Sequence, residues 1–465
     1  MSMNHTVRRL PALLLALALP GLWSASSQAQ APTADLSPRL QRAAERLAAL
    51  EQRAGHIDDH DQLRNLQQIY GYYVDKALWD QVVDLLADDA TLELGFNGSY
   101  VGKPAIRRYL ESLTGGKVGL LPGQLNNHVQ FSPVITLAAD GRSAKARWQQ
   151  WILDGIHGAG SGGNWGAGTY ENEYVKQDGV WKIRHLKLYL RFYAPYEGGW
   201  TRAAPDSALR YGRSTVKPTR PPTQTYAPYP AAFHAPFHYD DPAQAGALLS
   251  QGRQATAVPA GGKPRTVAEL EAQVRSLEHQ VERLQAVDAV ENLEHMYGYY
   301  ADKSMQDAIS SLFAQNSTLE ILGRGVFLGR DRVYEYMRRL GAPTDGTLFN
   351  HMQLQPVVHV SPDGNTARVR ARLLVMFSVT GRTDQWGDGV YENVFVKEDG
   401  VWKYQSLMGT MGFYTDYDAG WAKRAMPMMA PFPGYPPDRP QSIKYDPYPA
   451  HFIPPFHYAN PVSGR

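Results

Sequence analysis

Tyr70-Gly-Tyr-Tyr-Val-Asp-Lys76 returns later in the chain as Tyr297-Gly-Tyr-Tyr-Ala-Asp-Lys303. Three more islands recur in the same order. Asn127-His128 comes back as Asn350-His351, Asp178-Gly-Val-Trp-Lys182 as Asp399-Gly-Val-Trp-Lys403, and Pro236-Phe-His-Tyr239 as Pro455-Phe-His-Tyr458. Ordered matches at one offset of about 220 to 227 residues are the signature of tandem duplication of a whole domain. The chain therefore supplies two copies of any site for comparison.

A length of 465 residues and an apolar fraction of 43% suit two medium domains, each able to bury a core. The formal net charge is +2 and no long basic run interleaves with aromatics, which disfavours nucleic acid as a partner and leaves small molecules or proteins. At the N-terminus, Arg8 and Arg9 precede an apolar run from Leu10 to Trp23 and a small-residue end at Ala29-Gln-Ala31. This is the layout of an export signal, and the run is too short for a membrane span. The flanks of the arginine pair fit the twin-arginine route poorly, so general secretion to a periplasmic or secreted location is expected. With no cysteine in the chain, disulfides, lipobox anchoring and thiolate chemistry are excluded.

Leu36, Leu40, Ala43, Leu47, Leu50, Ala54 and Ile57 alternate four-three, as do Val267, Leu270, Val274, Leu277, Val281 and Leu284. Such heptad helices pair with one another within a chain, join two chains into a homo-oligomer, or lie on their own domains; the spacing leaves all three open. Downstream the text reads as helix, strand at Asp88 to Glu93, helix from Gly102 with Pro104 in its first turn, then strands separated by Asp-Gly turns and a glycine-rich loop from Gly158 to Gly168. Helices followed by a run of antiparallel strands indicate an α+β domain. The expected organisation is a signal at 1–31, a heptad helix at 32–60, a domain at 61–200, an extended Pro/aromatic tail and linker at 201–262, a heptad helix at 263–290, a second domain at 291–421 and a second tail at 422–465.

Each repeat resembles a SnoaL-like domain of the nuclear transport factor 2-like superfamily, the group that includes scytalone dehydratase and ketosteroid isomerase. The residues carrying the resemblance are Tyr73-Val-Asp75, Trp79-Asp80, Leu86-Ala-Asp-Asp-Ala90, His128 with Ser132-Pro133, Asp140-Gly141 and Asp178-Gly-Val-Trp-Lys182. The second copy matches at Asp302, Phe313-Ala314, His351, Asp363-Gly364 and Asp399-Gly-Val-Trp-Lys403. The resemblance implies two cone-shaped domains, each a curved antiparallel sheet wrapped on helices around a pocket. It also places the helix aspartate and strand histidine of dehydratase-like members on Asp75 and His128, and again on Asp302 and His351. The dehydratase's second histidine has no counterpart; that stretch offers Trp148, Trp151 and Asp154. Scytalone dehydration itself is not expected.

Chemistry argues separately for the pair. An imidazole held by a carboxylate has a fixed tautomer and can move a carbon-bound proton, while a phenol stabilises an oxyanion in an apolar cavity. Tyr73 and Tyr300 are the candidate phenols. Tyr72, Tyr299, Trp79, Trp148, Gln130 and Gln353 are candidate substrate contacts, the two glutamines sharing a strand face with the histidines. Without a cofactor this kit suits elimination, isomerisation or retro-aldol chemistry on a hydrophobic molecule, with aromatic and phenolic compounds among the candidates. A non-catalytic binding protein for the same ligand is the rival reading. Glu93 and Glu320 are weaker candidates as cavity acids. The repeated Asp-Gly-Val-Trp-Lys is a turn with a packing tryptophan. His234 and His238 have metal-like spacing, but the second copy replaces the first with Ile453, so no metal site is expected. The tails, rich in proline and aromatics, are expected to be extended straps docked on a domain.

Overall fold

The computed structural model describes residues 36–239 and 266–465, apart from residues 161, 203, 205 and 343. The expected signal segment lies outside the described residues.

The first repeat begins with α1 (Leu36–Asp75), which runs unbroken from the heptad stretch into the domain. Leu63, Leu66, Tyr70, Tyr73 and Val74 supply its buried stripes. It stops at Lys76-Ala77, where Ala77 takes a left-handed φ of 51°, and Ser304 repeats the break at 47°. The helical spacing of Trp79, Val82 and Val83 thus belongs to a separate short helix, α2 (Trp79–Asp84). β1 (Leu86–Leu94), β2 (Ser99–Val101), α3 (Lys103–Ser112), β3 (Gln124–Leu137), β4 (Ser143–Ile156), β5 (Gly163–Gln177) and β6 (Val180–Pro195) follow.

The second repeat has the same order: α4 (Val267–Asp302), α5 (Gln306–Ser311), β7 (Phe313–Ile321), β8 (Val326–Leu328), α6 (Arg330–Arg339), β9 (Thr347–Val360), β10 (Thr366–Val379), β11 (Thr383–Glu398) and β12 (Val401–Asp416). A capping box opens α4, with Thr266 and Glu269 each accepting from the other's backbone N–H.

Each repeat forms one six-stranded sheet, ordered β2-β1-β6-β5-β4-β3 and β8-β7-β12-β11-β10-β9. The pairing is antiparallel except for β1 with β6 and β7 with β12, which are parallel. Alternation within a strand carries no direction for partners this far apart in sequence, so the all-antiparallel expectation needed this correction.

The repeated Tyr-Gly-Tyr-Tyr motif has a packing reason. α4 crosses β9 so closely that a Cβ on Gly298 would lie 2.6 Å from the His351 carbonyl oxygen, and one on Gly71 would lie 3.3 Å from that of His128. Only glycine lets the helix sit on the histidine strand. The glycine-rich stretch read as a loop is already strand from Gly163, where a Cβ would lie 2.7 Å from the Trp421 ring.

The repeats share an apolar seam between their outer sheet faces, with Leu125, Trp151, Leu153 and Trp165 against Leu374, Trp386, Phe413 and Trp421. The Trp151 and Trp386 rings stack at 6.0 Å. α1 and α4 pack together within the chain, tied by Arg64 and Glu291 at 2.9 Å. Of the second heptad stripe, Leu270 and Leu277 are buried while Val267, Val274 and Val281 stay exposed. The tails lie as straps on their own sheets: His238 Nδ1 meets Glu171 and His457 Nδ1 meets Glu392, both at 2.8 Å.

Candidate functional site

On β3 as far as Gln130, before a bulge between Phe131 and Val134 reverses the parity, and along β4, the even-numbered side chains point into the cone of the first repeat. A cavity of about 140 Å³ opens there, lined by Tyr70, Val74, Trp79, Asn126, His128, Asp154, Tyr170 and Tyr211, among others. Trp79 is fixed by its indole N–H donating to Thr114 Oγ1 at 2.9 Å. His128 Nε2 lies 3.2 Å from the Tyr211 hydroxyl, and its Nδ1 has no hydrogen-bond partner among the described residues. Asp154 accepts from the Tyr193 hydroxyl at 2.7 and 2.8 Å and from Asn164 at 3.3 Å.

Burial decides the charge states. Desolvation pushes the His128 imidazole down to about 4, against the opposing pulls of the Asp75 carboxylate and the Asn126 carbonyl. Desolvation pushes the Asp154 carboxyl up to about 6, partly offset by the hydrogen bonds from Tyr193 and Asn164. Tyr193 and Tyr211 are raised well above the ordinary phenol range, first by burial. Near neutrality the cavity therefore holds a neutral imidazole, neutral phenols and a carboxylate close to its titration point.

Asp75 does not line this cavity. One carboxylate oxygen accepts the His128 backbone N–H at 2.6 Å, and the other pairs with Arg372 of the second repeat. Arg372 also holds Asp388 at 2.6 Å, and Asp388 accepts from Asn127 at 2.7 Å. The space left around this cluster is only about 30 Å³, too small for a ligand. In the second repeat Asp302 accepts the His351 N–H at 2.5 Å and sits 3.5 Å from His351 Nδ1.

The other expected residues separate. Tyr70 and Val74, four apart, face the cavity, whereas Tyr72 and Tyr73 are rotated by roughly 200° and 300° on the helix. Tyr72 accordingly donates to the Gln355 carbonyl of the second repeat at 2.8 Å, and Tyr73 packs edge-on against Phe456 at 5.3 Å. Gln130 is buried in the cone base, accepting from Gln67 at 2.5 Å, and Trp148 donates to the Tyr174 hydroxyl at 3.2 Å. Gln353 is buried outside the second cavity, Tyr300 packs on the second core, and Tyr299 is 74% exposed. Glu93 and Glu320 anchor the tails, accepting from Thr223 and Ser442.

The second cavity is larger, about 280 Å³, and its walls differ. His351, Tyr297 and Tyr391 match His128, Tyr70 and Tyr170. Phe349 stands where Asn126 does, Leu373 in place of Gln150 and Phe377 in place of Asp154, by the strand registers. Among the described residues no group of three or more His, Asp or Glu side chains is placed to hold a metal ion.

Residues 55–187 and 282–407 both match the family described as "SnoaL-like domain". The chain belongs to the SnoaL-like family. A search of curated proteins finds no match. Solved structures similar to one SnoaL-like repeat include a proposed scytalone dehydratase from Novosphingobium aromaticivorans (24% identity, 29% of this chain and 90% of that one, TM-score 0.27). They also include the hexachlorocyclohexane dehydrochlorinase LinA-type3 from Novosphingobium barchaimii (19%, 29% and 92%, 0.26) and an NTF2-like protein with a cystatin-like fold from Novosphingobium aromaticivorans (19%, 32% and 92%, 0.24).

Asp154 and Tyr211, which supply the acid and the hydroxyl beside His128 in the first SnoaL-like cavity, were not among the expected site residues. Asp154 carried a usable signal: it shares the parity of Trp148, Gln150 and Ile152, so an acid was alternating inward beside a single amide on a mostly apolar face. Tyr211 carried none, because it arrives from the segment after the last strand. Its place is set by Asn97, whose side chain donates to the Tyr211 carbonyl at 2.8 Å.

Proposed function

We propose that the chain is an exported lyase or isomerase that works without a cofactor on a hydrophobic, aromatic or phenolic small molecule, with proton transfer in the first repeat. The observation that carries this reading is the pairing of a carboxyl raised to about 6 with an imidazole lowered to about 4 on one cavity wall. Two titratable groups whose usual order of basicity is reversed by their surroundings fit an acid/base assignment.

Of the two, ionised Asp154 is the stronger base. In the proposed step its carboxylate takes a proton from carbon next to a carbonyl, and the electron pair moves to the carbonyl oxygen as an enolate. Neutral His128 donates an N–H hydrogen bond to that oxyanion, worth more in the desolvated cavity than in water. Return of the proton to another carbon gives isomerisation. Expulsion of a β-oxygen, with the Asp154 proton delivered to it, gives elimination of water or an alcohol. Asp75 acts as a positioning residue by holding the backbone that carries His128. The apolar run behind Arg8 and Arg9 supports export.

For the second repeat a binding role is favoured, because Phe377 and Phe349 replace the acid and amide of the first cavity. The test is incubation of the mature protein with phenolic and polyketide-like compounds in deuterated water, followed by mass spectrometry. Label uptake or product with wild type and neither with Asp154→Asn supports the reading. Tight binding of a compound without exchange would replace it with a pure binding protein.

A further inference from the structure

Beside the apolar seam between the outer sheet faces, the contact between the repeats has a heterologous part: a plug on the first repeat enters a socket on the second. Tyr72 and the end of α1 are the plug. The socket is the outer face of the second sheet and its strap, where the Arg370 guanidinium lies 4.6 Å from the Tyr72 ring and 4.2 Å from Phe456. Docking leaves about 30 Å³ there and Tyr72 only 2% exposed.

Duplication has made a second plug and a second socket, and among the described residues neither is filled. The plug equivalents on the second repeat are Tyr299, 74% exposed, and Leu348, 48% exposed against 5% for its counterpart Leu125. The equivalent socket on the first repeat is a groove of about 410 Å³ lined by Arg147, Thr169, Tyr189, Arg191, Tyr229 and Phe233. Arg147 repeats the frame of Arg370: it pairs with Glu171 as Arg370 pairs with Glu392, and lies 4.1 Å from Phe237 as Arg370 lies from Phe456. Among the described residues no tyrosine stacks on its other face. Gln149 stands where Arg372 does, but Arg191, at the position of Gly412, brings its guanidinium to Gln149 Oε1 at 3.2 Å. A cation is thus available for Asp302, the counterpart of Asp75.

We propose that a second copy of this chain docks head to tail, its Tyr299 plug entering the Arg147 socket as Tyr72 meets Arg370 within the chain. A heterologous contact of this kind builds a closed ring or an open chain of copies. The Asp388 pair is not retained, since Ala167 stands there, so the contact between copies is weaker than the internal one.

The test is sedimentation velocity over a concentration series with full-length mature protein. Wild type should associate with rising concentration. Tyr299→Glu and Phe237→Glu, both at exposed positions, should each weaken association by about tenfold or more. A mixture of the two variants retains one intact plug and one intact socket, so it should form a mixed dimer and stop there. A wild type that stays monomeric, association untouched by either variant, or a mixture that stays monomeric would each overturn the proposal.

Discussion

Replacing Asp154 with Asn should stabilise the protein while abolishing its chemistry. The carboxyl is raised from 3.8 to about 6 chiefly by desolvation. A folded-state pKa above the unfolded one means that the native state binds the proton more tightly, so stability is lost as pH rises from about 4 through 6 and stays lost above it. A shift of that size corresponds to about 3 kcal/mol at most, with water in the cavity reducing it. Asn keeps the acceptor for the Tyr193 hydroxyl and carries no charge to desolvate. Urea unfolding at pH 8 should therefore show Asp154→Asn more stable than wild type by about 1–3 kcal/mol, with the difference vanishing near pH 4. A variant equally or less stable at pH 8, or a gain independent of pH, would refute the reasoning that Asp154 is held ionised at a cost for function.

Arg372→Met removes the guanidinium paired with both Asp75 and Asp388, leaving the neighbouring Lys76 to face them, and should cost about 3–5 kcal/mol in urea unfolding. Gly298→Ala should cost about 1–3 kcal/mol, because the added methyl meets the His351 carbonyl oxygen and α4 must lift off β9; thermal unfolding reads it. His128 should stay neutral in NMR titration until pH falls to about 4. Its lowered pKa removes stability as pH drops from 6.5 toward 4, so His128→Gln should flatten the acid limb of the stability curve.

The duplication, the element order and the SnoaL-like fold were legible because repeated motifs and strand alternation are local in sequence. His128 and His351, placed by the family resemblance, and Trp79, placed by helix spacing, all lie on cavity walls. Tyr72 and Tyr73 were misplaced because adjacent helix positions face different neighbours, and the second repeat and its strap, which claim those faces, are more than two hundred residues away. Asp75 recurs with its histidine, but nothing local reveals that Arg372 of the other repeat takes its free oxygen. Glu93 and Glu320 read as cavity acids only until the straps that they anchor are seen.

The most direct test of the account is the pH dependence of deuterium uptake into a compound that the protein labels, measured for wild type, Asp154→Asn, His128→Ala and His351→Ala. The account predicts a wild-type rate that rises to a plateau above about pH 6, no exchange in Asp154→Asn, strong loss in His128→Ala and little change in His351→Ala. Exchange that survives in Asp154→Asn with an unchanged pH profile, or that is lost only in His351→Ala, would contradict it.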